Sequence, residues 1–418
     1  MTPLTTPHIT ANSFLTTTTT STSSTTTDEP DPVLIYFITG NPGLISYYHT
    51  YLSLLSAELS SGTCTDDDGG SRSTSNFPQC IIHGKSMGGF EIIEHEQGVS
   101  NGGMQAQAHP PAPAATNTKL YNLSEQIEHV ERNLTDFVDA WRAKMGRRKQ
   151  KGDSIHICAA QGGGEEEPRQ RGGVNVILIG HSVGAYVAME IIRRHRESNT
   201  LASKGDDDGA MDIIGGILLF PTVVDIAKSS SGRKLTRLLY MPYLALLTSL
   251  LVKLLVFILP ESWLRSMVGM VMSSPPGNAI DTTVEFLRSK RGVEQAIHMA
   301  ADEMREITSD TWSDEIWGIA SSSPASSSAP TSTTASAPAK APLNLVLYFA
   351  QQDHWVADQT RDEIIRARGS MEKDTGSNGL RMQVCEDGVV HGFCIRHSDI
   401  MAKKTAAWVR DIIKRRQN

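Results

Sequence analysis

The sequence of 418 residues has few cysteines, and they are not spaced like a disulfide framework or a zinc site. The five are Cys64, Cys80, Cys158, Cys385 and Cys394. Their number is odd and no two form a C-x-x-C pair, which argues against a secreted, disulfide-stapled fold and against structural zinc. The amino terminus also lacks a basic segment followed by an apolar one, so no secretory signal is predicted. We expect a reduced, cytosol-facing protein without a metal.

An excess of positive charge and a nucleotide-binding glycine pattern are also missing. The net charge is -7, which argues against a nucleic acid partner. The letters Gly84-Lys85-Ser86 suggest a phosphate loop, but that loop needs glycine five residues before Gly84, where Gln79 stands. No Rossmann fingerprint occurs either. The sequence therefore predicts neither nucleic acid binding nor a cofactor.

Several stretches lack the apolar residues that a core requires. Residues 1–31 are rich in Thr and Ser and are predicted to form a disordered tail. Low-complexity inserts are predicted at about residues 60–76, 98–118, 147–173 and 320–342. The rest, residues 32–416, is predicted to be one domain, because the candidate catalytic segments run from residue 40 to residue 391 and must meet in one fold.

The most informative segment that is present is Val174 to Glu190, VNVILIGHSVGAYVAME. An apolar β-branched run meets Gly180-His181-Ser182-Val183-Gly184 and is followed by a helical pattern. A sharp strand-to-helix turn exposes a serine hydroxyl to a base, and small residues two before and two after the serine make that turn possible. Ser182 is the candidate nucleophile. A glycine-rich turn without chemistry is the alternative.

A second G-x-S-x-G, at Gly84 to Gly88, competes for this role. Its preceding strand is short and starts beside Pro78, and the following segment soon becomes rich in glycine and polar residues. We interpret it as an earlier strand with its turn, and Ser86 remains the less favoured nucleophile.

The apolar run Val33 to Ile38 ends in Thr39-Gly40-Asn41-Pro42-Gly43, which is typical of a tight backbone turn. In α/β-hydrolases one oxyanion N–H comes from a loop of this kind and the other from the residue after the nucleophile. Pro42 has no N–H. Asn41 and Val183 are therefore the candidate oxyanion donors, with a simple turn as the alternative for Asn41.

The acid and the base follow the nucleophile in this fold. Asp353 comes just after the strand-like run Leu343 to Phe349, whereas Asp358 falls inside the next predicted helix. His391 follows the last strand signal, Leu380 to Cys385. His397 lies six residues further on and is interpreted as a surface or capping histidine. The predicted triad is Ser182, Asp353 and His391, and the predicted fold is an α/β-hydrolase three-layer sandwich with a mostly parallel sheet.

Five segments together resemble the lipid droplet-associated hydrolase family: LIYFITGNPGLISYYHTYLSLL, GHSVGAYVAME, LLFPTVVDIAKSSSGRKLTRLL, DHW and DGVVHGFCIRHSDIMA. NLSEQIEH, from Asn122, resembles that family's helix before the nucleophile strand. The resemblance implies an α/β-hydrolase on lipid droplets and endoplasmic reticulum, facing the cytosol, whose triad corresponds to Ser182, Asp353 and His391. It implies hydrolysis of carboxylic esters, with sterol esters as a proposed lipid substrate. The alternative is a droplet-binding or membrane-binding protein that keeps the fold without turnover.

A nearly uncharged run, Leu238 to Leu259, lies between the nucleophile and the acid, inside a cap insertion predicted at about residues 222–306. The run is long enough to span a bilayer. Pro242 and Lys253 disfavour a regular span, and a span would separate Ser182 from its acid and base. We therefore predict a lipid-surface anchor that lies in or dips into the interface, flanked by Arg233, Lys234, Arg237 and Arg265. A wholly buried cap helix is the alternative.

Overall fold

A computed structural model describes residues 7–18, 31–61, 77–92, 119–153, 173–202, 211–239, 241, 243–319, 343–375 and 379–417. The predicted inserts at 98–118 and 320–342 lie outside these residues, as do nearly all of the insert at 60–76, Cys64 and Cys158. At 147–173 the structure differs from the prediction, because a helix continues to Asp153; residues 154–172 lie outside the described part.

Eight strands of the described chain form one sheet in the order β1-β2-β4-β3-β5-β6-β7-β8. The pairs from β4 to β8 are parallel, and β1–β2 and β2–β4 are antiparallel. The strands are β1 His8–Thr10, β2 Ser13–Thr17, β3 Val33–Ile38, β4 Cys80–Lys85, β5 Val174–His181, β6 Met211–Leu219, β7 Asn344–Phe349 and β8 Leu380–Val384.

Helices cover both faces of the sheet, which explains why its central strands are apolar at every position. All six residues of β3 are buried. Val33, Ile35 and Phe37 pack on one side, with helices α1 and α11, and the alternate residues of β3 pack on the other side, with α2 and α3. A parallel sheet buried on both faces has this composition. These helices are α1 His49–Ser60, α2 Leu123–Asp153, α3 Val183–Ala202 and α11 Ser398–Gln417.

The predicted disordered tail at residues 1–31 is wrong for residues 8–17. These residues form β1 and β2, and β2 pairs with β4 from Ser13–Lys85 to Thr17–Ile81. Phe14 and Leu15 of β2 are buried. Threonine has a high strand propensity, and Phe14 and Leu15 anchor β2 beside β4. The Thr- and Ser-rich composition therefore led to a wrong prediction of a tail where a hairpin forms.

In the part of the chain that the structure describes, five α-helices separate β6 from β7, where the sequence predicts the cap. They are α4 Ser230–Leu239, α5 Leu244–Ile258, α6 Glu261–Val271, α7 Gly277–Arg288 and α8 Gly292–Glu306. This helical cap is tied to the rest of the protein by polar contacts. The Tyr47 hydroxyl lies 2.8 Å from that of Thr283 in α7, and Arg396 donates to the carbonyl of Met272 at 2.9 Å.

The run Leu238 to Leu259 is not one continuous helix. It includes the end of α4 and all of α5, and the two helix axes differ in direction by 95°. Among the described residues no single helix is long and apolar enough to cross a membrane, although this bent pair meets the length and composition criteria together. Pro242, which the sequence analysis used against a regular span, lies outside the described residues.

Among the described residues, two further helices lie between β7 and α11. Helix α9, Asp358–Thr375, follows β7, and the single-turn helix α10, Phe393–Arg396, precedes α11. The carboxyl ends of β3, β5, β6, β7 and β8 lie at one edge of the sheet because these strands are parallel. The loops that follow these strands therefore meet at that edge.

Candidate active site

Ser182 stands in the sharp turn between β5 and α3. Its φ is +55°, a left-handed conformation that costs energy in a residue with a Cβ and persists only where the surroundings enforce it. The Ser182 N–H donates to the Leu219 carbonyl of β6 at 3.0 Å. The turn is therefore held by the neighbouring strand, and its strain keeps the hydroxyl clear of α3.

The two glycines of Gly180-His181-Ser182-Val183-Gly184 are required by close backbone approach. A Cβ on Gly180 would lie 2.3 Å from the Gly184 carbonyl oxygen. A Cβ on Gly184 would lie 2.5 Å from the carbonyl oxygens of both Ile38 and Thr39. The spacing of small residues thus serves two contacts: it closes the turn on itself, and it lets the loop after β3 pack against it.

Ser182, His391 and Asp353 form a hydrogen-bonded chain. The Ser182 Oγ lies 3.0 Å from His391 Nε2, and His391 Nδ1 lies 2.8 Å from Asp353 Oδ2. A carboxylate only accepts, so Nδ1 carries the imidazole proton and Nε2 accepts from the serine hydroxyl. Asp353 is itself oriented, because its Oδ1 accepts the N–H of Trp355 at 2.7 Å.

The rejected alternatives occupy other environments. Ser86 is buried, and its hydroxyl accepts the Ile45 N–H at 3.2 Å. Asp358 lies in the first turn of α9, where its exposed carboxylate pairs with Arg361 at 3.0 Å. The arrangement brings together the three residues that the sequence analysis selected and leaves these two outside the chain.

His181 and Tyr48 connect the loop at residues 39–43 to the loop that carries His391. The His181 Nε2–H donates to the His391 carbonyl at 2.9 Å, which leaves Nδ1 to accept from the Tyr48 hydroxyl at 2.7 Å. The same hydroxyl accepts the Gly40 N–H at 3.1 Å. Burial, with His391 nearby, holds the pKa of His181 well below its ordinary value. His181 is therefore neutral, as this pattern of donors and acceptors requires.

The loop at residues 39–43 lies directly against the nucleophile. A Cβ on Gly40 would lie 3.0 Å from the Cβ of Ser182. The Gly40 N–H is already bonded to Tyr48, and the Asn41 side chain donates to the Ala296 carbonyl and to Glu303, both in α8. Val183 is the first residue of α3, where N–H groups have no partner within the helix.

Sequence reasoning missed Tyr48 and Glu303 and assigned His181 no role. His181 could have been suspected from its place beside the nucleophile, whereas Tyr48 has no signal apart from its nearness to the loop. Glu303 is 262 residues from Asn41, and nothing in its local sequence marks it. In the described part of the chain no three His, Cys, Asp or Glu residues cluster as metal ligands would.

The mostly parallel sheet, the strained serine turn after β5 and the acid and histidine after β7 and β8 define an α/β-hydrolase fold. A sequence profile of the lipid-droplet associated hydrolase family matches residues 31–159 and 165–394. The chain therefore belongs to the lipid-droplet associated hydrolase family, in agreement with the resemblance seen in the sequence.

Two similar proteins carry the same description. A lipid droplet-associated hydrolase of Gallus gallus is 24% identical over 397 residues, which cover 91% of this chain and 85% of that protein. One of Mus musculus is 22% identical over 380 residues, covering 90% and 85%. Among solved structures, a meta-cleavage product hydrolase of Pseudomonas fluorescens aligns with a TM-score of 0.43 at 10% identity, covering 96% of this chain and 94% of the other.

Proposed function

We propose that this protein hydrolyses carboxylic esters of lipids, sterol esters among them, on the cytosolic surface of lipid droplets and endoplasmic reticulum. The observation that carries the catalytic part is the chain of hydrogen bonds from Ser182 through His391 to Asp353. A serine in a strained turn beside an imidazole, whose other nitrogen is held by a buried carboxylate, has the arrangement of a nucleophile with its base.

The reaction proceeds by two acyl transfers. The Ser182 Oγ attacks the ester carbonyl carbon while its proton moves to His391 Nε2. The ester C–O bond then breaks, and the alcohol leaves with that proton. Water next gives a proton to His391 Nε2 while its oxygen attacks the acyl carbon. The bond from that carbon to Ser182 Oγ then breaks, Oγ takes the proton back from His391, and the fatty acid leaves. Asp353 keeps the imidazole in the required tautomer and stabilises its cation. No cofactor takes part in this scheme.

The tetrahedral oxyanion is stabilised by the backbone N–H groups of Asn41 and Val183. Val183 begins α3, so its N–H is directed away from the helix toward the nucleophile side. Gly40 is excluded as the loop donor because its N–H is bonded to Tyr48. Asn41 is the next residue of the loop that packs against Ser182. Each such donor contributes roughly 10²- to 10³-fold to turnover in comparable enzymes.

The lipid surface is bound by an apolar face of the cap. In α5 the less exposed residues include Ala245, Thr248, Ser249 and Val256, and Val256 packs against α6 and α7. The large residues face outward, and Leu250, Leu254 and Phe257 are 52%, 53% and 89% exposed. This exposure contradicts the alternative of a cap helix wholly buried in the protein.

The apolar face extends beyond the predicted run Leu238–Leu259. In α6, Trp263, Met270 and Val271 are also exposed, and we define the apolar face as the exposed apolar residues of α5 and α6. Exposed apolar surface of this extent marks an interaction site. A lipid surface is the partner we propose for this face, because the family is associated with lipid droplets and because Lys253 of α5 suits anionic headgroups. The flanking Arg265 is paired with Asp281.

Labelling by a fluorophosphonate probe tests the catalytic proposal. Wild type should be labelled, and Ser182→Ala should lose the label, whereas Ser86→Ala should keep it. Lipid analysis of cells that express wild type or Ser182→Ala then identifies the esters that accumulate in the variant. A folded wild type that is neither labelled nor active on esters would favour a droplet-binding protein without turnover.

A further inference from the structure

The loop at residues 39–43, called the oxyanion loop from here on, is attached to helix α8 of the cap through the side chain of Asn41. Asn41 donates both protons of its amide to α8: to the Ala296 carbonyl at 3.0 Å and to the Glu303 carboxyl at 2.9 Å. Its own carbonyl oxygen is buried and has no hydrogen-bond partner among the described residues. The amide N–H groups are therefore what hold the Asn41 side chain in place, and Glu303 is its only side-chain acceptor in that part of the chain.

Glu303 is buried, and among the described residues no basic side chain forms an ion pair with it. Burial raises the pKa of Glu303 to about 8, against the hydrogen bond from Asn41, and the neighbouring Asp302 adds to the rise. Other titratable groups around α8 act on different positions: Glu125 of α2 with His298, Tyr186 of α3 with Glu306, and Lys253 of α5 with Glu294. At neutral pH the acceptor for Asn41 is therefore an uncharged carboxylic acid.

We propose that Glu303 is a positioning residue that holds the oxyanion loop through the Asn41 side chain and so connects that loop to the cap. The inference rests on the proposed function, because it assigns Glu303 an effect on the reaction at Ser182. Glu303 does not touch the reacting atoms; it fixes the backbone that carries the Asn41 N–H.

The ionisation of Glu303 makes the free energy of unfolding depend on pH. Below about pH 8 Glu303 is neutral in the folded protein, whereas its ordinary pKa of 4.5 applies to the unfolded chain. The folded state thus holds a proton that the unfolded state has lost, and the free energy of unfolding falls as the pH rises from 4.5 to about 8. Above that range a buried carboxylate stands beside Asp302, and the Asn41 side chain still donates to it, so the cost of ionisation appears in the free energy of unfolding.

The test measures labelling rates at Ser182 and melting temperatures across pH for four proteins. Glu303→Gln keeps a neutral acceptor, so we expect it to match wild type at pH 7 within about twofold. Its melting temperature should rise relative to wild type between about pH 5 and pH 8. Glu303→Ala should label about 10²-fold more slowly, because the loop is misplaced. Glu306→Gln, an exposed change on the same helix, is the matched control and should resemble wild type.

A double-mutant cycle separates positioning from general damage. In an Asn41→Ala background, which keeps the backbone N–H, adding Glu303→Ala should change labelling by no more than about twofold. Additive losses, or labelling of Glu303→Gln as slow as that of Glu303→Ala, would overturn the inference. If wild type were not labelled at all, the proposed function would fail. The melting temperatures of the same cycle would then decide on the Asn41–Glu303 connection: non-additive values support it and additive values refute it.

Discussion

Asp353 shows how much of this site depends on the position of a single carboxylate. Its Oδ2 bonds His391, and its Oδ1 caps the N–H groups of Trp355 and Val356. Both oxygens are thus used, and the side chain is almost fully buried. Asp358, five residues later, points into solvent toward Arg361. The two residues are chemically identical, and only the end of β7 distinguishes them.

We predict that Asp353→Asn reduces ester turnover by up to about 10⁴-fold, because an amide no longer holds His391 in the tautomer that accepts the serine proton. Folding should be nearly intact, since the amide oxygen still accepts the backbone N–H groups. Turnover, the rate of fluorophosphonate labelling and the melting temperature are the measurements. Asp358→Asn is the matched control and should leave turnover close to wild type. Loss of activity in Asp358→Asn alone would reverse the assignment of the acid.

At the scale of elements, α5 is an amphipathic helix whose large apolar side chains face outward. Its less exposed side lies toward the rest of the cap, while most of its leucines are exposed. Helices of soluble proteins have the opposite arrangement. Each leucine that leaves water for an apolar phase contributes roughly 1.5–3 kcal/mol, so a few residues of this face suffice for membrane affinity.

We predict that the double change Leu250→Asp with Leu254→Asp releases the protein from lipid droplets into the cytosol. Both side chains are half exposed, so the change removes membrane affinity without creating a cavity in the core. Droplet flotation and fluorescence imaging measure the release, and labelling at Ser182 should persist. Leu54→Asp, on an exposed leucine of α1, is the control and should stay on droplets. A double variant that remains on droplets would refute the role of this face.

The elements also show where sequence patterns succeed and fail. The apolar runs at β3, β5 and β7 are continuous signals, so their positions were predictable within a residue or two. The hairpin of β1 and β2 was not, because its stability comes from the edge of β4, which is distant in sequence. The same reason hides Glu303: its role arises from a contact with Asn41 that no local pattern encodes.

On the scale of the whole molecule, one sheet edge gathers residues from β3 to β8. The segments before and after the cap therefore meet in one site: Asn41 and Ser182 precede it, and Asp353 and His391 follow it. The sequence order of nucleophile, acid and base predicted this meeting. The bend between α4 and α5 was not foreseen, since composition describes a continuous apolar run and contains no information on its direction.

We predict that both sides of the cap are equally accessible to protease in sealed microsomes. A chain that crossed the bilayer once at Leu238–Leu259 could not bring Ser182 and His391 within 3.0 Å of each other. Epitope tags placed before residue 32 and after Gln417 should both be digested without detergent, and a lumenal marker should remain intact. Protection of the segment from Ala350 onward, with digestion of residues before Leu238, would contradict an interfacial cap.

The outward leucines of α5 also determine how the protein behaves away from lipid. In water the folded protein exposes the apolar side chains of Leu250, Leu254 and Phe257. Contiguous apolar patches of this kind promote aggregation. We therefore expect the protein to stay dispersed only when detergent or lipid covers this face. In detergent or on vesicles the protein should be monodisperse, whereas dilution below the critical micelle concentration should bring copies together through α5 while the sheet remains folded.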